Sequence, residues 1–114
     1  LEGPTDTSAA AVASMALLTL SELQPGTDCA RRYLCAATST IRALAGRRFL
    51  AAPPPPRSGA GAAAVGAARG GPMLKHGTAA RPLGIAIDRG LVYGDYYLLE
   101  AIEICRRLPG CLDA

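Results

Sequence analysis

The chain of 114 residues contains no tryptophan, one phenylalanine and one histidine. Half of its residues are apolar, but 23 of these are alanines, so the apolar fraction overstates the volume available for a core. Glycine and proline, 13 and 9 residues, are concentrated in the middle and remove further packing material. The length allows one modest domain or a piece of a larger one and excludes a self-contained multidomain enzyme. We expect a thin core of marginal stability on its own.

No apolar run reaches the ~20 residues that a membrane-spanning helix needs. The longest such run, residues 9–20, already contains Ser14 and Thr19. A secretory signal carries positive charge ahead of its apolar run, whereas Glu2 and Asp6 precede this one. We therefore expect no membrane partner, and because the chain opens with Leu1 we expect the true N-terminus to lie upstream.

The four cysteines do not have the spacing of a structural zinc site. They form two pairs with five residues between the members, Cys29 with Cys35 and Cys105 with Cys111. Zinc sites usually offer two ligands only two to four residues apart, so this spacing is not a zinc signature. The chain shows no other cluster of metal ligands, and we expect no metal and no cofactor. Four buried or idle thiols and a disulfide both fit the sequence, which leaves the redox compartment open.

Acidic residues are missing from the middle of the chain. Between Cys29 and Gly71 there are seven arginines and no acid, although the net charge of the whole chain is only +3. Aromatic side chains are not interleaved with these arginines in the way that base stacking requires. We therefore expect no nucleic-acid partner, and a nucleic-acid-binding tail would rest on the acid-free segment alone.

A first helix is indicated by one apolar stripe with helical spacing. Asp6, Thr7 and Ser8 can each cap its start, and Pro25 with Gly26 ends it. The opposite face is small and polar, so a second element can also approach closely there. The stripe that we expect to be buried consists of Ala9, Val12, Ala13, Ala16, Leu17, Leu20 and Leu23.

A second helix is expected from Asp28, as its cap, to Ala45, with Gly46 ending it. Its inward face would carry Tyr33, Ala37, Ile41 and Leu44. From residue 46 to residue 71 the apolar pattern is lost, and four consecutive prolines, 53–56, predict an extended polyproline segment. We interpret 46–71 as a disordered loop insertion.

A third helix is predicted from Tyr96 to about Leu108, opened by Gly94 and Asp95, with Glu103 and Arg107 paired on its surface. Short extended pieces precede it from residue 73. Its inward residues would be Tyr97, Leu98, Ala101, Ile102, Cys105 and Leu108.

Three segments of the chain together resemble one protein family. They are Asp6-Thr7-Ser8-Ala9-Ala10-Ala11-Val12-Ala13-Ser14, Leu74-Lys75-His76-Gly77-Thr78 and Leu91-Val92-Tyr93-Gly94-Asp95-Tyr96-Tyr97-Leu98-Leu99-Glu100-Ala101. The family is that of the unsaturated glucuronyl hydrolases, glycoside hydrolase family 88. Its late inner helix opens Asp-[Ser/Thr]-Ser-Ala-x-Ala-[Ile/Val]-Ala, and its terminal helix reads Tyr-Gly-Asp-Tyr-Tyr-Phe-Leu-Glu-Ala-Leu, so that Leu98 stands where the family commonly has Phe.

The resemblance implies an all-α fold, an (α/α)6 barrel of which residues 1–114 would be the C-terminal fragment of one catalytic domain. It also implies carbohydrate chemistry. The family hydrates the 4,5 double bond of an unsaturated uronic acid at the non-reducing end of oligosaccharides left by polysaccharide lyases. An Asp donates a proton to the alkene and activates water. The family's catalytic Asp residues lie upstream, so no catalytic residue is assigned here and we expect the isolated chain to be inactive.

For the site, the resemblance implies that Lys75, His76 and Thr78 contact an oligosaccharide substrate. Asp88 is expected to hold their loop by accepting backbone NH groups. Asp95 is expected to have a structural role at the start of the last helix. The alternative function is a non-catalytic helical module that binds a partner through the apolar stripes its helices expose.

Overall fold

The computed structural model describes residues 5–52 and 71–111. In this part of the chain there are three α-helices, α1 (Thr7–Leu23), α2 (Asp28–Leu44) and α3 (Val92–Arg107), a 3-10 turn at Arg81–Leu83, and no strand. Isolated antiparallel bridges replace the short extended pieces expected after residue 73. The prediction of an all-α fold is confirmed.

The insertion expected over 46–71 lies mostly outside the described residues, and so do its four prolines. Its first part, 46–52, is described. There Phe49 and Leu50 pack against the core, and Leu50 forms a bridge with Leu74. The packed part of the chain therefore continues past the end of α2.

Helix α1 begins at the cap that the sequence offers. The Asp6 carboxylate accepts the backbone NH groups of Ser8 and Ala9, which have no partner inside the helix. At the other end the Gln24 NH bonds the Ser21 carbonyl, and Gly26 follows with φ of 79°. A positive φ suits glycine, so the helix stops where the sequence predicted.

The buried face of α1 is the small-residue face, where a second element was also expected, and not the apolar stripe. Val12, Leu20 and Leu23 of the predicted stripe are exposed, Leu23 to 72%. Small residues make the close packing possible, because they let α2 and α3 approach the α1 backbone. The buried residues are Thr7, Ser8, Ala11, Ser14, Leu18 and Ser21. Their hydroxyls find acceptors: Ser14 donates to the Ala10 carbonyl, Ser21 to the Ala30 carbonyl and Ser8 to the Asp6 carboxylate.

Helix α2 starts with a different cap from the expected one. The Thr27 hydroxyl accepts the Ala30 NH at 3.0 Å, so Thr27 is the N-cap and Asp28 is the first helical residue, ion-paired with Arg31. The predicted inward residues Ala37, Ile41 and Leu44 are buried. The helix ends at Leu44, just before the predicted Ala45.

Helix α3 starts four residues earlier than predicted, at Val92. Gly94 lies inside its first turn, where a Cβ atom would come within 3.1 Å of the Ser8 Cβ. Gly94 is thus a contact point between α1 and α3, and not a helix breaker. The surface pair is Glu103 with Arg106, one residue earlier than the expected partner Arg107.

A disulfide joins Cys105 in α3 to Cys111 beyond it, with the two Cα atoms 5.3 Å apart. Helix α3 ends at Arg107, and Gly110 with φ of 78° turns the chain back, which brings together two thiols that a continuous helix would separate. Cys29 and Cys35 are exposed and free. The sequence left open whether the cysteines form a disulfide or stay as thiols. In the structure one pair forms a disulfide and the other pair stays as thiols.

Helix α1 packs against both α2 and α3, which contact each other little. The core between them consists of Ala11, Leu18, Ala37, Ile41, Leu44, Leu74, Leu98, Ala101, Ile104, Cys105 and Cys111. Most of these side chains are small or of medium size, as the composition predicted. Within the described residues, the helices are too short or too polar to cross a bilayer.

Candidate functional site

The loop that precedes α3 is docked on the first turn of α1. The Thr7 hydroxyl donates to the Lys75 carbonyl at 2.6 Å, and the Thr7 NH donates to the His76 carbonyl at 3.1 Å. The Thr78 NH donates to Asp6 Oδ1 at 3.2 Å. The first two residues of the Asp-Thr-Ser segment thus hold the backbone of residues 75–78 in place.

Asp95 attaches the same loop to α3. Its two carboxylate oxygens accept the backbone NH groups of Met73 and Leu74, at 2.7 and 2.8 Å. The Leu74 side chain is 1% exposed and belongs to the core. Asp95 is therefore structural, as expected, but it fixes a neighbouring loop and does not cap its own helix, which has no side-chain cap.

These contacts bring the three segments of the family resemblance together in space. Asp6 and Thr7 meet the loop, Asp95 meets it from the other side, and Gly94 packs on Ser8. We call this set of contacts the junction, and it comprises residues 6–8, 73–78 and 94–95. Backbone NH and carbonyl groups at the junction lose hydrogen bonds to water when the segments pack together, and they find protein partners here instead.

An open cleft of about 400 Å³ lies beside the junction, at the N-terminal end of α1. Asp6, Ser8, Thr78 and Tyr93 supply its polar wall, and alanines of α1 and Val12 supply an apolar one. The Thr78 hydroxyl oxygen is buried and has no hydrogen-bond partner among the described residues.

The carboxylate in the cleft wall is held in its ionised form. Burial raises the pKa of Asp6, but hydrogen bonds from the Ser8 hydroxyl and from the backbone NH groups of Ala9, Thr78 and Ser8 together outweigh it. They leave the pKa of Asp6 below its ordinary value of 3.8, because each of them favours the charged form. Asp6 is thus a fixed negative charge and hydrogen-bond acceptor.

Lys75 and His76 point away from this cleft. The Lys75 ammonium donates to the Arg47 carbonyl at 3.1 Å, beyond the end of α2. His76 Nδ1 lies 2.5 Å from Asp88 Oδ1, and the imidazole meets the ring of Phe49 edge-on with the centroids 6.3 Å apart. Asp88 was expected to accept backbone NH groups, but its side-chain partner among the described residues is the His76 ring.

Of the three predicted site residues, only Thr78 therefore lines the cleft, while Lys75 and His76 share the surface next to Phe49 and residues 47–48. The Arg48 guanidinium lies 5.1 Å above the Phe49 ring, which adds a second cation to that surface. The sequence analysis missed Phe49 because it placed residue 49 in a disordered insertion. The sequence did offer a signal for this surface, because Phe49 is the one phenylalanine of the chain and follows two arginines.

Among residues 5–52 and 71–111, no group of three or more His, Cys, Asp or Glu side chains is arranged to hold a metal ion.

No protein-family model and no curated protein matches the chain. Among solved structures, it is similar to one described as "Crystal structure of unsaturated glucuronyl hydrolase specific for heparin", with 31% sequence identity and a TM-score of 0.70 over 90% of the chain. The match covers 24% of the other protein, so the chain spans about a quarter of that protein's length. The three helices have the arrangement of part of a glycoside hydrolase α/α barrel.

Proposed function

We propose that the chain is the C-terminal part of an (α/α)6 barrel hydrolase. The enzyme would hydrate the 4,5 double bond of an unsaturated uronic acid at the non-reducing end of lyase-derived oligosaccharides. The observation that carries this proposal is the 31% identity, over 90% of the chain, to a solved unsaturated glucuronyl hydrolase. The junction supports it, because the segments that resemble the family motifs are the ones that hold one another in place.

The chain would contribute substrate contacts and not the reacting acid. A general acid must carry its proton at the working pH, which requires a carboxyl pKa raised toward neutrality. The pKa of Asp6 is lowered instead, and Asp95 uses both oxygens as acceptors. Neither carboxylate suits proton donation to an alkene, so the catalytic acid is assigned to the rest of the barrel.

Lys75, His76 and Thr78 are proposed as contacts to the oligosaccharide. The Lys75 ammonium has three N–H donors and donates one to the Arg47 carbonyl, so two remain for a carboxylate or sulfate group of the sugar. Thr78 lines the cleft, and a rotation of its side chain would turn the buried hydroxyl, which has no partner among the described residues, toward a sugar hydroxyl there. The two lie on different surfaces, so an oligosaccharide that contacts both would extend along the loop.

A titration of the chain with an unsaturated uronyl disaccharide tests this proposal. We expect the amide NMR signals of residues 75–78 to shift, and Lys75→Ala to weaken binding by about 2- to 5-fold, the effect of an exposed charge pair. Arg107→Ala, an exposed cation at the end of α3, serves as the matched control and should bind like the unchanged protein. A chain whose loop signals stay unmoved at high disaccharide concentration would overturn the proposal.

The alternative, a non-catalytic helical module, rests on one observation. Large apolar side chains are exposed on the helices, with Leu23 at 72%, Val92 at 82% and Leu99 at 52%. A barrel would cover them with its other helices, and a module would cover them with a partner protein. The disaccharide titration separates the two, because a module of this kind has no reason to respond to the sugar at residues 75–78.

A further inference from the structure

The His76 imidazole is held on two sides. Its Nδ1 lies 2.5 Å from Asp88 Oδ1, and the Phe49 ring meets it at an interplanar angle of 85°. Among the described residues, no hydrogen bond reaches the other ring nitrogen, Nε2. The imidazole side chain remains 40% exposed, so a ligand can approach that nitrogen.

The backbone on both sides of this pair is in a conformation that side chains rarely adopt. His76 has a φ of 63° and Asp88 a φ of 55°. They flank a bridge in which the NH groups and carbonyls of Gly77 and Arg89 exchange hydrogen bonds of 2.6 and 2.8 Å. Non-glycine residues are uncommon in left-handed backbone, although Asp and His enter it more readily than most, and such positions cluster at ligand-binding sites.

The bridge explains why the two side chains meet. Gly77 is buried, and a Cβ atom on it would lie 2.8 Å from the Arg89 carbonyl oxygen, so glycine allows the two segments of the loop to pair this closely. In an antiparallel bridge of Gly77 with Arg89, residues 76 and 88 are diagonal neighbours, which lets a His and an Asp side chain reach each other. The pair is thus built by the backbone and not by chance contact of two flexible surface side chains.

We propose that Asp88 is a positioning residue for His76. By accepting the Nδ1 proton it holds the neutral imidazole in the Nδ1–H tautomer, which leaves Nε2 as an unprotonated acceptor on a ring that is 40% exposed. An acceptor at that point selects a ligand group that donates, a sugar hydroxyl, while the anionic groups of the same sugar go to Lys75. The identification of the ligand as a sugar rests on the proposed function, whereas the assignment of the Nδ1–H tautomer does not.

The tautomer can be measured directly, because His76 is the only histidine in the chain and its ring signals need no assignment. Long-range nitrogen–proton NMR spectra are recorded at a pH where the ring nitrogens themselves report a neutral imidazole. We expect the unchanged protein to show the Nδ1–H form as the major one. Finding mainly the Nε2–H form, which free imidazole side chains favour in water, would overturn the proposal whether or not any variant folds.

Asp88→Gly removes the acceptor and keeps a residue that accepts positive φ. It should return the ring to the Nε2–H form, and an unchanged tautomer ratio would count against the proposal. Ala86→Gly is the matched control, since Ala86 also has a positive φ, 47°, in the same loop, while the described hydrogen-bond partner of the imidazole is Asp88. The control should keep the tautomer of the unchanged protein.

Binding of the unsaturated disaccharide provides the second readout. Asp88→Gly should weaken it by about 2- to 10-fold, the effect of one neutral hydrogen bond, while Ala86→Gly should not. If the sugar does not bind the unchanged protein, the proposed function fails and the tautomer result still decides the role of Asp88. If the sugar binds but the ring is in the Nε2–H form, the positioning role fails and the proposed function stands.

Discussion

Replacing Asp6 by alanine should loosen the loop as well as weaken α1, because one carboxylate oxygen serves both. Oδ1 accepts the NH groups of Ser8 and Ala9 in the helix and the NH of Thr78 in the loop. Asp6→Asn is the informative companion, since asparagine caps helices about as well as aspartate does and removes only the charge.

The expected magnitude follows from these two roles. Loss of an N-cap costs about 1 kcal/mol, within a range of about 0.5 to 2. Loss of the Thr78 hydrogen bond adds about 0.5 to 1.5 kcal/mol. Asp6→Ala should therefore lower the free energy of unfolding by about 1 to 3 kcal/mol, and Asp6→Asn by less than about 1 kcal/mol.

Urea unfolding followed by circular dichroism measures this difference. With a slope near 1 kcal/mol/M, the midpoint for Asp6→Ala should fall by about 1 M or more. Glu103→Ala is the control, because Glu103 and Arg106 form an exposed surface pair whose loss costs about 0.5 kcal/mol or less. Amide exchange at Thr78 reports the loop separately and should become several-fold faster in Asp6→Ala alone.

The stabilisation by Asp6 should also depend on pH in a defined direction. The pKa of Asp6 is lowered in the folded protein, so the contribution is present above the unfolded value of about 3.8 and is lost as the pH falls below it. The stability difference between the unchanged protein and Asp6→Asn should shrink in the same range. Equal midpoints for Asp6→Ala and Glu103→Ala, with Thr78 exchange unaltered, would refute the reasoning.

Two further perturbations test the packing of α3. Gly94→Ala should lower the thermal midpoint, because the new Cβ would lie 3.1 Å from Ser8 Cβ and 3.3 Å from Ser8 Cα. This crowding should cost more than the roughly 1 kcal/mol that alanine gains over glycine in a helix. A higher midpoint would show that α1 and α3 separate freely. Reducing the Cys105–Cys111 disulfide should cost about 2 kcal/mol for so short a loop, measured as a thermal shift with and without reductant. Alkylation of all four thiols in the unreduced, denatured protein would show instead that the disulfide does not form.

Much of the fold could be predicted because local signals determine helix positions. Cap residues and turn glycines placed α1 and α2 to within a residue or two at each end. The buried face of α1 could not be predicted in this way. Helical periodicity identifies the most apolar stripe, but close packing of helices selects small residues such as Ala11 and Ser14, and which face meets a partner depends on the rest of the fold.

For the candidate site, the sequence predicted which segment takes part but not where its side chains point. The family resemblance singled out residues 74–78, and the structure brings that segment into contact with the other two. The directions of the Lys75, His76 and Thr78 side chains were beyond prediction, because they follow from an irregular backbone with a positive φ at His76. The same irregularity hides the His76–Asp88 pair, whose members are twelve residues apart.

We propose that this chain contacts an unsaturated oligosaccharide at residues 75–78 and that the catalytic acid lies in the rest of the barrel. The most direct test is to mix the pure protein with an unsaturated uronyl disaccharide at a concentration that shifts its loop signals and to follow the absorbance of the conjugated double bond. We expect the absorbance to stay at the level of the buffer control while the loop amides remain shifted. A steady loss of absorbance above that control, or a disaccharide that leaves the loop unmoved, would contradict the account.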